Sequence, residues 1–125
     1  MAEGRTVEKV WGEEEIICNT PLYCSKWLYV MSGFVCSEHR HRIKDETFHV
    51  IAGVGVMSVQ GRLQRVKVGD TVHIPVGQYH FFATTTGLTL LEVSTEHRDS
   101  DVERLSESHA LNPDRDAIVL RWLEK

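Results

Sequence analysis

His39, His41, Glu46 and His80 are the residues of this 125-residue chain best suited to act together. Imidazole nitrogens and a carboxylate bind divalent transition metals, and a set of this kind leaves coordination positions open for water or substrate. The spacing gives a reason for them to converge. Side chains alternate faces along a strand, so His39 and His41 project to the same side. Arg42 to Asp45 then form a turn that returns Glu46 on a neighbouring antiparallel strand. A second hairpin, shaped by Pro75 and Gly77, delivers His80. The expected cofactor is one divalent transition metal: Mn, Fe, Co, Ni or Zn. His49, His73, His97 and His109 stand in no comparable pattern.

The elements that must hold these residues are strands. Tyr23 to Met31 alternates and is rich in aromatic and β-branched residues. From Glu46 to Ala52 the alternation places Glu46, Phe48, Val50 and Ala52 inward and His49 and Ile51 outward, and Gly53 to Val59 continues that strand or pairs with it. Gln60-Gly61 reads as a hairpin turn into Leu63 to Val68. Thr71 to Ile74 is a short strand, and Phe81 to Ala83 and Leu88 to Ser94 read as paired strands around Thr86-Gly87. With a first strand after Trp11-Gly12, this makes about nine or ten short strands, the pattern of an all-β sandwich or barrel. Residues 1–9 read as a loose end. Asp99 to His109 and Asp116 to Glu124 have helical character, and Ile118, Val119, Trp122 and Leu123 share a face that fits the outside of a barrel.

The bulk numbers narrow the class. A chain of this length is expected to form a single domain, 1–125, with the barrel at about 10–98 and a helical tail at about 99–125. Apolar residues make up 42% and charged residues 26%, with a net charge of −4 and no basic stripe. Nucleic acid and anionic membrane are therefore poor partners. Three cysteines, Cys18, Cys24 and Cys36, form no zinc-knuckle spacing and read as free thiols in a reducing cytoplasm. Cys36, near the ligands, reads as a core residue before a catalytic thiol.

Two blocks carry a family resemblance. Gly33, His39, His41, Glu46 and Gly53 write G-x5-H-x-H-x4-E-x6-G, and Gly69, Pro75, Gly77 and His80 write G-x5-P-x-G-x2-H. Both resemble the paired motifs of the cupin superfamily, which implies a jelly-roll β-barrel with the metal on His39, His41, Glu46 and His80. The second motif often ends in an Asn that is not a ligand; here the position is Thr84. The run His39-x-His41-x-x-Lys44-x-Glu46 resembles the D-lyxose ketol-isomerase family, in which the lysine stands beside the metal. Trp11-Gly12-x-Glu14 with Lys26, and Leu91 to Thr95 followed by Asp101-Val102-x-Arg104, resemble the opening and close of the cupin domain of bifunctional mannose-6-phosphate isomerases.

These resemblances imply a metal-dependent isomerase that interconverts an aldose and a ketose, of a sugar or sugar phosphate, through an enediol. Lys44 and Glu92 are the candidate catalytic residues, Glu92 as a base within the barrel wall and Lys44 as donor to a substrate oxygen. Lys26, which shares parity with Leu28 and Val30, and Arg104 are candidates for an anionic substrate group. An Fe(II) dioxygenase on the same ligands and a non-catalytic carbohydrate-binding cupin are the alternatives. The resemblance also implies a homodimer, which would cover exposed sheet edges.

Overall fold

The computed structural model describes residues 5–125. In chain order its strands are β1 (Arg5–Lys9), β2 (Gly12–Asn19), β3 (Cys24–Val30), β4 (Phe34–Val35), β5 (His39–His41), β6 (Glu46–Val59), β7 (Arg62–Lys67), β8 (Thr71–Ile74), β9 (His80–Thr84), β10 (Leu88–Ser94), β11 (Val102–Arg104) and β12 (His109–Ala110), and α1 (Ala117–Leu123) ends the chain. The strands curl into an all-β jelly-roll barrel. The hydrogen-bonded path runs β1-β2-β3-β10-β6-β9-β4-β12, β7 and β8 flank β6, and β5 lies between β9 and β11.

β6 links the two walls of the barrel. Its first half pairs with β10 and β8 and its second half with β9 and β7. Its register with β10 slips so that Leu90 opposes Val50 while Thr89 opposes Ala52. An extra residue in one strand reverses the inward–outward parity beyond it. Glu46, Phe48 and Val50 are therefore buried as the alternation predicts, whereas Ala52 is exposed. The bend continues at Gly53, with φ +85°, where a Cβ would lie 2.1 Å from the Gly87 carbonyl oxygen. Only glycine tolerates both that angle and that approach.

Other expectations are corrected by the pairing. β9 and β10 do not pair with each other; β9 joins β4, β5 and β6, while β10 joins β3 and β6. Glu46 does not return on a strand hydrogen-bonded to β5, because β5 pairs with β9 and β11. The loose end read at 1–9 is strand β1 from Arg5 onward, in a hairpin with β2; residues 1–4 lie outside the described part. The helix read over Asp99 to His109 is a single 3-10 turn, Asp99–Asp101, followed by β11 and β12. The short strand β5 otherwise leaves backbone donors and acceptors bare, and β11 satisfies them, with Val102, Glu103 and Arg104 opposite His41, Arg40 and His39.

The core lies between the walls. Trp11, Leu28, Val50, Met57, Phe82 and Leu90 belong to one buried cluster, and the Trp11 ring meets Phe82 edge to face at 5.1 Å. Each such burial contributes roughly 1.5–3 kcal/mol. α1 packs outside against β7 and β6, with Leu123 buried and its carbonyl accepting from Arg65 Nη1 at 3.2 Å. Ile118, expected on the packed face, is exposed. Among the described residues no helix is long and apolar enough to cross a membrane.

Candidate metal centre and cavity

β5 presents His39 and His41, the start of β6 presents Glu46, and the start of β9 presents His80. His39 lies directly opposite His80 in the β5–β9 pairing. One ligand nitrogen from each of His39, His41 and His80 falls within 4.8 Å of the others. Glu46 Oε2 stands 3.1 Å from both His41 Nε2 and His80 Nε2. His41, Glu46 and His80 are buried, and His39 is half-buried.

The protons at this cluster can be placed by their partners. A carbonyl only accepts, so His39 Nδ1 donates to the Ser37 carbonyl at 2.7 Å and His80 Nδ1 donates to that of Gln78 at 3.0 Å. Both rings then turn the Nε2 lone pair inward, an arrangement that orients metal-binding histidines. His80 Nε2 and Glu46 Oε2 are fully buried, and despite their 3.1 Å separation neither has an aligned hydrogen-bond partner. Two buried electron pairs facing each other need a cation between them. These residues therefore fit a divalent metal, with three histidines and Glu46 able to hold it.

Charge follows the same geometry. Burial, and then the neighbouring His80, hold the His39 pKa down to about 3, which keeps this imidazole neutral. Burial works against ionisation of Glu46, but its neighbours, the Lys44 ammonium among them, outweigh it and hold the carboxyl well below its usual range.

His39, His41 and Glu46 of the cluster form part of the wall of a cavity of about 560 Å³. Trp11, Leu28, Phe48 and Phe82 supply apolar wall, while Lys26, Lys44 and Glu92 are charged lining residues. Lys44 is buried rather than a solvated turn residue. Its Nζ donates to Glu92 Oε2 at 3.0 Å and lies 3.5 Å from Glu46 Oε1. Burial alone lowers a lysine pKa, but Glu92 and Glu46 outweigh it, so the pKa of Lys44 is raised and it remains an ammonium. Glu92 is buried on β10, accepts from Ser94 Oγ at 3.1 Å, and lies opposite Lys26 of β3. Lys26 points inward as its parity predicts and pairs with Glu14 at 3.4 Å. Arg104, exposed on β11 opposite His39, reaches the cavity and donates to Ser37 Oγ at 2.6 Å. Lys26, Lys44, Glu92 and Arg104 thus all line the cavity that His39 and His41 line.

Cys36 is a core residue. Burial pushes its thiol up to about 12, and the Phe82 N–H donates to its sulfur at 3.2 Å.

The roles of two residues escaped the sequence reading. Asp101 is buried and accepts from the backbone of the β5–β6 turn. His97, in the loop after β10, meets Lys44 Nζ at 3.2 Å. Burial, then Lys26 and Lys44, lower the pKa of His97. His97 has no motif around it, and the run Asp101-Val102-x-Arg104 marks no role for Asp101; only the apposition of β5 with the segment after β10 reveals what they touch.

Residues 26–94, more than half of the chain, match the family described as Cupin domain. The chain belongs to the cupin family. A relative from Aquifex aeolicus (strain VF5), an uncharacterized protein, is 38% identical over 53 residues, which cover 42% of this cupin and 44% of that protein. A mannose-1-phosphate guanylyltransferase of Salmonella montevideo is 27% identical over 112 residues, covering 86% of this cupin and 24% of the relative. This cupin thus matches less than half the length of either relative. Among solved structures, KdgF from Halomonas sp. is similar at a TM-score of 0.65 and 21% identity, over 70% of this cupin and 81% of that chain. At that identity the likeness concerns the fold.

Proposed function

We propose that this cupin is a cytoplasmic, metal-dependent aldose–ketose isomerase acting on a sugar or sugar phosphate, with Glu92 and Lys44 as its proton-handling pair. The observation that carries the reading is the buried Lys44–Glu92 contact of 3.0 Å beside Glu46 and the histidines, on the wall of the cavity. A metal-binding pocket with purely apolar walls would favour oxygen chemistry. Here a carboxylate and an ammonium line it, as an enediol reaction requires. The guanylyltransferase relative, whose name includes a sugar phosphate, agrees with the substrate class.

A divalent metal held by His39, His41, Glu46 and His80 would polarise the substrate carbonyl and offset negative charge on its oxygens. Glu92 takes the proton from C2 as the C2–H electron pair becomes the C1=C2 bond and the carbonyl pair moves onto O1. The same carboxylic acid returns that proton to C1, while the O2 proton passes to O1. The sum is one proton moved between carbons and one between oxygens, with no external reactant. Lys44, held as an ammonium, donates a hydrogen bond to a substrate oxygen and keeps its proton. Trp11, Leu28 and Phe48 exclude water around the enediol. Lys26 and Arg104 supply positive charge for an anionic substrate group, Arg104 through a planar fork suited to phosphate. The reading includes a homodimer, for which Ile51 and Val93, exposed on outward-facing positions, offer apolar surface.

Proton NMR in D2O tests the reaction. The protein is loaded in turn with Mn(II), Fe(II), Co(II), Ni(II) and Zn(II) and mixed with aldoses and aldose phosphates. Deuterium entering C2, or a ketose appearing, is the expected result. If metal stays bound and no pair either exchanges deuterium or yields a ketose, the isomerase reading fails.

A further inference from the structure

Three acceptors surround the Lys44 ammonium: Glu92 Oε2 at 3.0 Å, His97 Nδ1 at 3.2 Å and Glu46 Oε1 at 3.5 Å. An ammonium has three protons and no lone pair, so His97 Nδ1 is the acceptor of that bond. The His97 ring proton then lies on Nε2, where it is donated to Asp99 Oδ1 at 3.0 Å. The backbone of His97 is pinned as well. Its N–H donates to Asn19 Oδ1 at 2.9 Å, and its carbonyl accepts from Asn19 Nδ2 at 3.0 Å. Asn19, at the end of β2, therefore fixes where the imidazole stands, and Asp99 fixes its tautomer.

We propose that His97 is a positioning residue for Lys44: it accepts a hydrogen bond from one of the three ammonium N–H groups and so sets how the other two point toward Glu92 and the Glu46 side of the cavity. Among the described residues, the other groups in reach of Nζ are carboxylates. With two carboxylates alone, the lysine tip could rotate or settle midway between them, and its N–H would leave the direction needed for a substrate oxygen. A neutral acceptor held from outside the cavity removes that freedom without adding charge. This inference rests on the reading that Lys44 and Glu92 serve proton transfer.

Two variants of the full-length, metal-loaded protein separate positioning from bulk. His97→Phe keeps a ring and removes the acceptor. His97→Asn restores an acceptor oxygen close to the place of Nδ1. The expected result is a fall in kcat of about 10²-fold for His97→Phe with KM and bound metal unchanged, and recovery of most of it in His97→Asn. Wild-type turnover in His97→Phe overturns the proposal, as does a loss in His97→Asn equal to that in His97→Phe. Nitrogen-15 NMR of the side chains supplies a readout that needs no substrate. His97 is expected as the neutral tautomer protonated at Nε2, and His97→Phe should shift the Lys44 Nζ resonance. Finding His97 protonated at Nδ1, or an unmoved Lys44 resonance, overturns the proposal even if the wild type isomerises no sugar. Absence of isomerisation with the expected NMR signature overturns only the function on which it rests.

Discussion

Asp101 holds Lys44 by its backbone. Its Oδ2 accepts the Lys44 N–H at 3.0 Å, while Oδ1 accepts those of Arg42 and Ile43 at 2.9 and 2.8 Å. One buried carboxylate thus organises the turn that separates His41 from Glu46, and it lies 3.9 Å from His41 Nδ1. Asp101→Ala removes the buried carboxylate that accepts three backbone hydrogen bonds and should cost about 2–4 kcal/mol of stability. Metal affinity should fall with it, because the ligand spacing is no longer held. Urea unfolding and metal titration check this, and wild-type values in both would show that the turn holds without Asp101.

The metal centre makes a sharper demand. His41→Ala and Glu46→Ala should each abolish stoichiometric metal uptake while circular dichroism still reports a folded barrel. Binding needs neutral imidazoles, so uptake strengthens as pH rises and weakens as pH falls, while burial keeps His39 itself neutral down to about pH 3. Metal analysis after gel filtration at several pH values reads both. Full occupancy in either variant would exclude these ligands.

Stability and chemistry should part company at Lys44 and Glu92. Both are buried, with side-chain exposures of 2% and 3%. Removing one member leaves the other charge unpaired in a dry site, so Lys44→Met should cost about 3–5 kcal/mol. The double variant Lys44→Met/Glu92→Leu should recover part of that stability, because apolar groups of similar volume replace the pair. It should have no isomerase activity. Chemical denaturation of the single and double variants, with the D2O exchange assay beside it, separates the two roles. A double variant that still exchanges C2 would remove both residues from the mechanism.

Thiol reactivity follows from burial. Cys36 is pushed up to about 12 by burial, and Cys24 is raised by burial and then by Glu92. A raised thiol forms thiolate only as pH climbs toward its pKa, so at pH 8 roughly one Cys36 in 10⁴ is ionised. Cys18 is half-buried. A disulfide reagent at pH 8 should titrate one thiol in the native protein and three in urea. Rapid native labelling of Cys36, located by mass spectrometry, would contradict its place in the core.

The cluster of candidate metal ligands was legible in the sequence because its order is local. The strand period of two puts His39 and His41 on one side, and short turns bring Glu46 and His80 close along the chain. Lys26 was legible for the same reason, since parity with Leu28 and Val30 fixes its direction. The hairpin at Gln60-Gly61 was legible from residue type, and both residues take positive φ, at 51° and 77°. Parity failed where a bulge intervened, at Ala52, because the alternation carries no mark of an inserted residue.

What the sequence by itself determined is the all-β class, the convergence of the candidate metal ligands and the inward direction of its strands, each set by local periodicity and turn chemistry. The tertiary structure decided which strands pair. The strand of His39 and His41 takes β11 as its neighbour rather than the strand of Glu46, so the segment after Arg98 becomes sheet rather than helix. That choice brings Asp101 under the ligand turn and Arg104 beside His39, while the loop before it brings His97 to Lys44. These contacts span about 50 or more residues, as between Lys44 and His97. Their energy comes from satisfying backbone groups at a sheet edge and charges in a cavity, and no local pattern records either.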